Sequence, residues 1–224
     1  MQNPALLLCD SDALVQFLLV PDLRPLQALI ANFGIQPAIV LEVDLELRWL
    51  AKHKDRFVPQ LEKALKHGTL VKLDQSKFQT YLGKAKPGTS WSTYQALGML
   101  YYGYVQRGEA YTHAAAVSLG MPAMTNDQRA VRVLQEQMLT TAIPSLRSFD
   151  LLVFAKEAGI LTIKACEDIR TELLAHDEGI PGPFLHASFE DASGSFPSRL
   201  RLGSASTIAA PPSTHYEPLF IVPL

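Results

Sequence analysis

The sequence predicts an α/β fold built on a largely parallel sheet, and three observations point there. Short unbroken apolar runs, Ala5 to Cys9 and Pro37 to Leu41, have the character of strands covered on both faces. Longer segments with apolar residues at helical spacing alternate with them. Glycines stand where those helices should stop, at Gly34, Gly68, Gly120 and Gly159.

The first strand, Ala5 to Cys9, ends in Asp10-Ser11-Asp12. A helix over Ala13 to Val20 is bounded by Pro21, and Leu23, Leu26, Leu29 and Ile30 mark the next. The second strand, Pro37 to Leu41, runs into a helix bearing Glu42 and Glu46 and reaching about His53. Phe57 to Lys66 is a helix with Leu61 and Leu65 inward; Thr69 to Leu73 is a strand. Lys84 to Ser90 is a loop, and Thr93 to Gln106 is helical.

From Gly108 to Arg129 the chain makes one continuous device. Glu109 opens a helix whose small residues, Ala110 and Ala114 to Ala116, suit close packing on a sheet. Gly120 ends it, and a short strand, Pro122 to Met124, delivers Thr125-Asn126-Asp127. Gln128 to Met138 is amphipathic, and Thr140 to Ile143 is the expected last strand. Ser148 is the expected N-cap of a helix over Phe149 to Ala158, followed by a helix over Thr162 to Ala175. From Gly179 on, Gly, Ser, Pro and Ala dominate and periodicity fades. The expected division is therefore one domain over 1–178 and a weakly structured extension over 179–224. The final Phe220-Ile221-Val222 either docks or frays.

The 224 residues, 48% hydrophobic and 19% charged with net charge −2, fit a globular chain with no bulk signature of a nucleic-acid binder. Cys9 and Cys166 form no CxxC pair, which excludes a disulfide framework and argues against zinc; a reduced, cytoplasmic setting is expected. No run approaches the roughly 20 apolar residues of a membrane helix, and the first apolar run is cut short at Asp10, unlike a signal peptide.

Acids gather at one end of the predicted sheet. Asp10 follows the first strand, Glu42 and Glu46 lie one turn apart after the second, Glu109 starts a helix, and Asp127 follows another strand. Ligands collect outside the carboxyl ends of parallel strands. Clustered carboxylates repel one another and are tolerated mainly when a cation neutralises them. All-oxygen donors suit Mg²⁺ or Mn²⁺, which can activate water and offset charge developing on a phosphodiester. Each acid also has a bland reading: Asp10 and Asp127 as helix caps, Glu109 as a partner of the helix dipole.

The order Leu6-Leu7-Leu8-Cys9-Asp10-Ser11-Asp12, Glu46-Leu47, Gly108-Glu109 before Ala114-Ala115-Ala116, then Thr125-Asn126-Asp127 resembles the PIN domain family over roughly residues 5–175. The segment Ser148 to Gly159 is similar to the end of PIN-like proteins related to VapC-type toxins. The resemblance implies a three-layer α/β/α sandwich and a Mg²⁺- or Mn²⁺-dependent ribonuclease whose metal ligands correspond to Asp10, Glu46, Glu109 and Asp127. It implies that Thr125 orients the site. It also implies an RNA substrate, an antitoxin partner and a homodimer. Two departures stand out. Glu109 occupies a place where Asp is commoner, and Asp12 one where Ser, Thr or Asn is. Between Glu42 and Glu46 as second acid, the family's Glu-Leu pairing favours Glu46.

Charge is uneven. Arg48 to Lys86 holds ten Lys/Arg, including Lys52, Lys54 and Arg56, against three acids. A basic segment beside an acidic pocket suits a polyanion, with Arg129 as a further phosphate contact; a solvated helical surface explains the same residues. Tyr101, Tyr102 and Tyr104 are expected in packing before base stacking. Two other functions remain open: a PIN-like RNA-binding or scaffold module without strong catalysis, and, ranked last, a phosphatase of haloacid dehalogenase type resting on Asp10-Ser11-Asp12.

Overall fold

The structure is a computed structural model that describes residues 5–20, 22–49, 54–82, 89–138, 145–176, 179–203 and 220–223. Its centre is a five-stranded, all-parallel sheet in the order β3-β2-β1-β4-β5. The strands are β1 (Ala5–Cys9), β2 (Ile35–Val40), β3 (Val71–Leu73), β4 (Ala123–Met124) and β5 (Ser145–Leu146). Leu6, Leu7, Leu8, Ala38, Ile39 and Val40 are all essentially fully buried. Their unbroken apolar runs fit because helices cover both faces. The result is a three-layer α/β/α sandwich.

Between β1 and β2 lie α1 (Ser11–Leu19) and α2 (Arg24–Phe33); between β2 and β3 lie α3 (Leu41–Trp49) and α4 (Lys54–Lys66). The link to β4 carries α5 (Gln75–Leu82), α6 (Trp91–Tyr102) and α7 (Arg107–Leu119). Next come α8 (Gln128–Met138), α9 (Ser148–Glu157) and α10 (Ile163–Ala175). Helix α1 packs with α3, α4 and α9, whereas α7 lies along β1, β2 and β4 with α6 against it. The alanines of α7 permit that approach: Ala110, Ala114, Ala115 and Ala116 are buried. At its end Gly120 takes a left-handed φ of 65°, which only glycine adopts without steric cost.

The topology decides where a site belongs. The chain steps from β1 to β2 to β3 in one direction, while β4 and β5 lie on β1's other side. The order reverses between β1 and β4, so the crevice beyond their carboxyl ends is a switch point. The register brings those ends level, since the Asp10 amide donates to the Met124 carbonyl at 2.9 Å.

Three sequence expectations differ from the structure, and a fourth falls on residues outside the described ones. The expected strand over Thr140 to Ile143 lies there, and the described strand that follows α8 at the edge of the central sheet is Ser145–Leu146. Helix α9 is capped by a reciprocal pair, not by Ser148: the Arg147 amide donates to Asp150 Oδ2 at 2.7 Å, and Ser148 is the first helical residue. Helix α5 was not expected at all; Phe78 and Tyr81 bury its inner side.

The extension is also folded over much of its length. It forms α11 (Gly182–His186) and α12 (Phe189–Ser195). Phe184, Phe189 and Phe196 are buried around Phe149 of α9, with ring centroids 4.6 Å apart for Phe149 and Phe184 and 5.0 Å for Phe184 and Phe196. Three aromatic anchors suffice where Gly and Ser dilute the pattern. The final apolar run docks: β6 (Leu200–Gly203) pairs in parallel with β7 (Phe220–Pro223).

Candidate metal and phosphodiester site

Asp10 is the first residue beyond β1 and is 1% exposed. Its two oxygens have different fates. Oδ1 accepts the Ser11 amide at 2.8 Å, so the capping reading is correct for that atom. Oδ2 is buried with no partner. Asp12, one position into the first turn of α1, repeats the pattern: Oδ2 accepts the Asn126 amide at 3.0 Å, and Oδ1 is buried without a partner. Burial without compensation favours the neutral acid. Burial, then Asp12, Glu109 and Glu46, hold Asp10 well above the usual carboxylate range, against the Ser11 amide. Asp12 is pushed up to about 6, mainly by burial.

Glu46 comes from α3, and Ser11 Oγ donates to its Oε2 at 3.1 Å. Burial raises it, and the Ser11 bond opposes the rise. Its carboxylate reaches the first turn of α7. A Cβ on Gly108 would stand 2.1 Å from Glu46 Oε2 and 3.2 Å from Asp10 Oδ1. Glycine is therefore what lets the helix start approach two acids, where its N-terminal dipole favours negative charge.

Glu109 is the third residue of α7, 8% exposed, and accepts the Gln106 amide at 3.3 Å in a capping box. Burial, then Asp127 and Asp12, push it up to about 8. Asp127 follows β4, and its Oδ1 accepts the Arg129 and Ala130 amides at 2.8 and 2.9 Å, opening α8. Thr125 is fully buried, and its Oγ1 accepts the Asp127 amide at 3.2 Å, which sets the turn.

Asp10, Asp12, Glu46, Glu109 and Asp127 thus form one electrostatic group. Every charged neighbour that raises Asp10 or Glu109 is another acid. Glu42 stands apart. It is buried, takes a long contact from Tyr94 Oη at 3.5 Å, and is not among the charges acting on Asp10. Glu42 does share with Glu46 the lining of a cavity of about 270 Å³ bounded also by Leu45, Trp49, Arg107 and Gly108.

Among the described residues, no three of these groups converge at a spacing ready to grip one ion. Like charges without a counterion stay apart, and several of their oxygens are engaged by amides instead. Yet the donors are hard oxygens, and Asp10 Oδ2 and Asp12 Oδ1 are orphaned and buried. That donor set fits a small divalent cation such as Mg²⁺ or Mn²⁺ and suits no soft metal.

The basic residues are dispersed. Arg56 pairs with Glu172 at 3.0 Å on α10 and also contacts His176. Arg48 bridges Asp44 and Glu62, each at 2.9 Å, and Lys72 pairs with Asp44. These cations tie neighbouring elements together, Arg56 through a half-exposed pair. Lys52 lies outside the described residues. Lys54 begins α4, and the Arg129 side chain is exposed on α8. Tyr101 is buried, while Tyr102 and Tyr104 are 57% and 50% exposed.

Three residues escaped the sequence reading; a fourth, His113, lies one turn after Glu109 and reads in sequence as an ordinary surface or core group. Ser11 holds Glu46. Asn126 holds Asp12 with its amide and accepts the Ser148 amide at its Oδ1 at 3.0 Å. Gly108 makes room for two carboxylates. His113 is buried on α7 beside Asp127, with its Nε2 unpartnered, and burial pushes it down to about 4, so the ring is neutral. Ser11 and Asn126 carried one available signal, as each directly neighbours a predicted acid in the chain.

No membrane-length apolar helix occurs among the described residues taken singly. Both cysteines are free and buried; burial pushes Cys9 up to about 12, which leaves an unreactive thiol. No family model matches the chain, and neither a curated protein nor a solved structure does.

Proposed function

We propose that the chain is a Mg²⁺- or Mn²⁺-dependent endoribonuclease of PIN-like type. The observation that carries the reading is that acids from the exits of β1 and β4, from α3 and from the first turn of α7 face one another electrostatically near the switch point, with Asp10 Oδ2 and Asp12 Oδ1 buried and unpartnered. Such a group is costly in a resting fold unless function requires it.

Asp10, Glu46, Glu109 and Asp127 would hold the ion, with Asp12 beside them. When bound, the ion supplies neutralising charge for the phosphodiester and acidifies a water ligand. The chain's own residues do the rest. Ser11 fixes the direction of the Glu46 carboxylate, Asn126 fixes Asp12, and Thr125 shapes the turn that presents Asp127. Glu109, held up to about 8, carries a proton at neutral pH and would hold the ion as a carboxylate. We extend the proposal to a cytoplasmic setting, to homodimerisation and to a toxin role with an antitoxin partner. Growth arrest on expression, relieved by the product of the adjacent gene, is the test of that role; sedimentation tests the dimer.

One observation favours a second reading, a catalytically weak RNA-binding protein. The Glu109 carboxylate is committed to its own helix cap. Cleavage of a labelled RNA with Mn²⁺ and with EDTA separates the two. The nuclease reading expects cleavage that EDTA abolishes and that Asp10→Asn and Asp127→Asn suppress. Undiminished cleavage by both variants sinks it.

A further inference from the structure

We infer that the cavity between α3 and the first turn of α7 is a nucleotide subsite, in which Trp49 stacks a base and Arg107 holds the adjoining phosphate of a single-stranded RNA. The inference rests on the ribonuclease reading and specifies how a strand reaches its acids.

Glu42, Leu45, Glu46 and Trp49 recur at spacings of three and four, so one face of α3 lines the cavity. Glu46 belongs to both places: its Oε2 meets Ser11 and the Gly108 backbone on the Asp10 side, and it also walls the cavity. A nucleotide here is therefore one side chain away from the acids.

The two other walls have the chemistry of a strand. Trp49 is 70% exposed and Leu45 41% exposed. An indole offers more apolar surface than any other side chain, and leaving it in water at a cavity rim forgoes that burial. Bases stack on such surfaces regardless of sequence. Arg107 is an exposed cation at the first position of α7, where the helix dipole disfavours positive charge. An anion at that spot offsets the mismatch and also meets the helix N-terminus. Tyr111 supports the guanidinium from below, at 5.9 Å from its ring centroid. The cavity of about 270 Å³ is open on one side, so neighbouring nucleotides can continue outward.

The test uses the full chain with Trp91→Phe, which leaves Trp49 as its one tryptophan. A single-stranded RNA oligonucleotide is titrated in EDTA, so that binding is read without cleavage. Trp49 fluorescence should quench and saturate. Trp49→Ala should weaken binding about tenfold or more by anisotropy of labelled RNA, with Trp49→Phe recovering part of it. Arg107→Ala should lower the salt dependence by about one phosphate contact. Duplex RNA of equal length should quench little, because its bases are already stacked. Unchanged emission at saturating RNA, or Trp49→Ala binding as tightly as the parent, overturns the subsite. A concentration-dependent blue shift without RNA also overturns it, since a second copy then covers the indole. Quenching that follows these expectations in a protein that never cleaves RNA keeps the subsite and removes the nuclease reading.

Discussion

Two aspartates in this molecule are buried to the same degree and treated in opposite ways. Asp150, at the start of α9, is 0% exposed, and both of its oxygens are satisfied. Oδ2 takes the Arg147 amide and Nε at 2.7 and 3.0 Å; Oδ1 takes Arg147 Nη2 at 2.8 Å and the Arg199 amide at 2.9 Å. Asp10 is 1% exposed, has one bare oxygen, and faces other acids. The difference separates two uses of a buried charge. Asp150 is a fastening complete within the chain. Asp10 is left with an oxygen that no group among the described residues satisfies.

The sharpest way to break this contrast is to truncate both. Asp150→Ala should cost about 3–5 kcal/mol in denaturant unfolding, because the half-buried Arg147 guanidinium and the Arg199 amide lose their shared, fully buried acceptor. Asp10→Asn, measured without divalent cations, should leave stability unchanged or raise it, since the amide cannot take up the charge that burial and the neighbouring acids oppose. Equal losses in the two variants would end the distinction.

Activity should show the reverse pattern. Asp10→Asn should lower RNA cleavage by more than about 100-fold, beyond the range for residues that only support a ligand. A substitution that weakens the Asp150 fastening without unfolding, Arg147→Lys, gives up the two-point guanidinium pairing and should leave cleavage per folded molecule near the parent value.

The acid group should also give the protein a distinctive pH response. Glu109 is raised from an ordinary 4.5 to about 8 in the fold. Between those values the folded state keeps a proton that the unfolded chain has released. Stability is then full below about pH 4.5 and falls as pH rises towards 8. Asp12, raised from 3.8 to about 6, adds in the same direction over its own range. In EDTA, thermal unfolding should occur at lower temperature as pH rises through this window. Glu109→Gln should flatten that slope. Mn²⁺ should restore stability most at the alkaline end, where the acids are charged.

The smallest effect concerns the seat of the acids. Gly108→Ala places a methyl within 2.1 Å of the movable end of Glu46. Stability should shift by no more than about 1 kcal/mol, while cleavage should fall about tenfold as Glu46 swings aside. Parallel assays of melting temperature and turnover will show whether the two properties separate.

The legible part of the fold was whatever repeats along the chain. The run Leu6-Leu7-Leu8-Cys9 was visible because a central parallel strand needs apolar residues on both faces. Asp10 and Asp127 were visible because strand exits are local features. What stayed hidden depends on distant neighbours. Ser11 meets Glu46 across 35 residues, and Asn126 meets Asp12 across 114. No local pattern records such partners. The pairing of Arg56 with Glu172, 116 residues away, was hidden for the same reason. The folded segment Gly182–Ser195 was obscured for another reason. Three phenylalanines carry its packing, and periodicity cannot be read from three points diluted by Gly and Ser.

The Arg199 amide that closes on Asp150 comes 49 residues later in the chain. On a ribosome adding about 5–20 residues per second, that interval lasts several seconds. During it, α9 is made with its aspartate only partly engaged, and until Phe184 and Phe189 follow, Phe149 lacks their rings. The sheet edge at β5 therefore matures late in synthesis, and a nascent chain halted before residue 199 should be captured by chaperones at that edge.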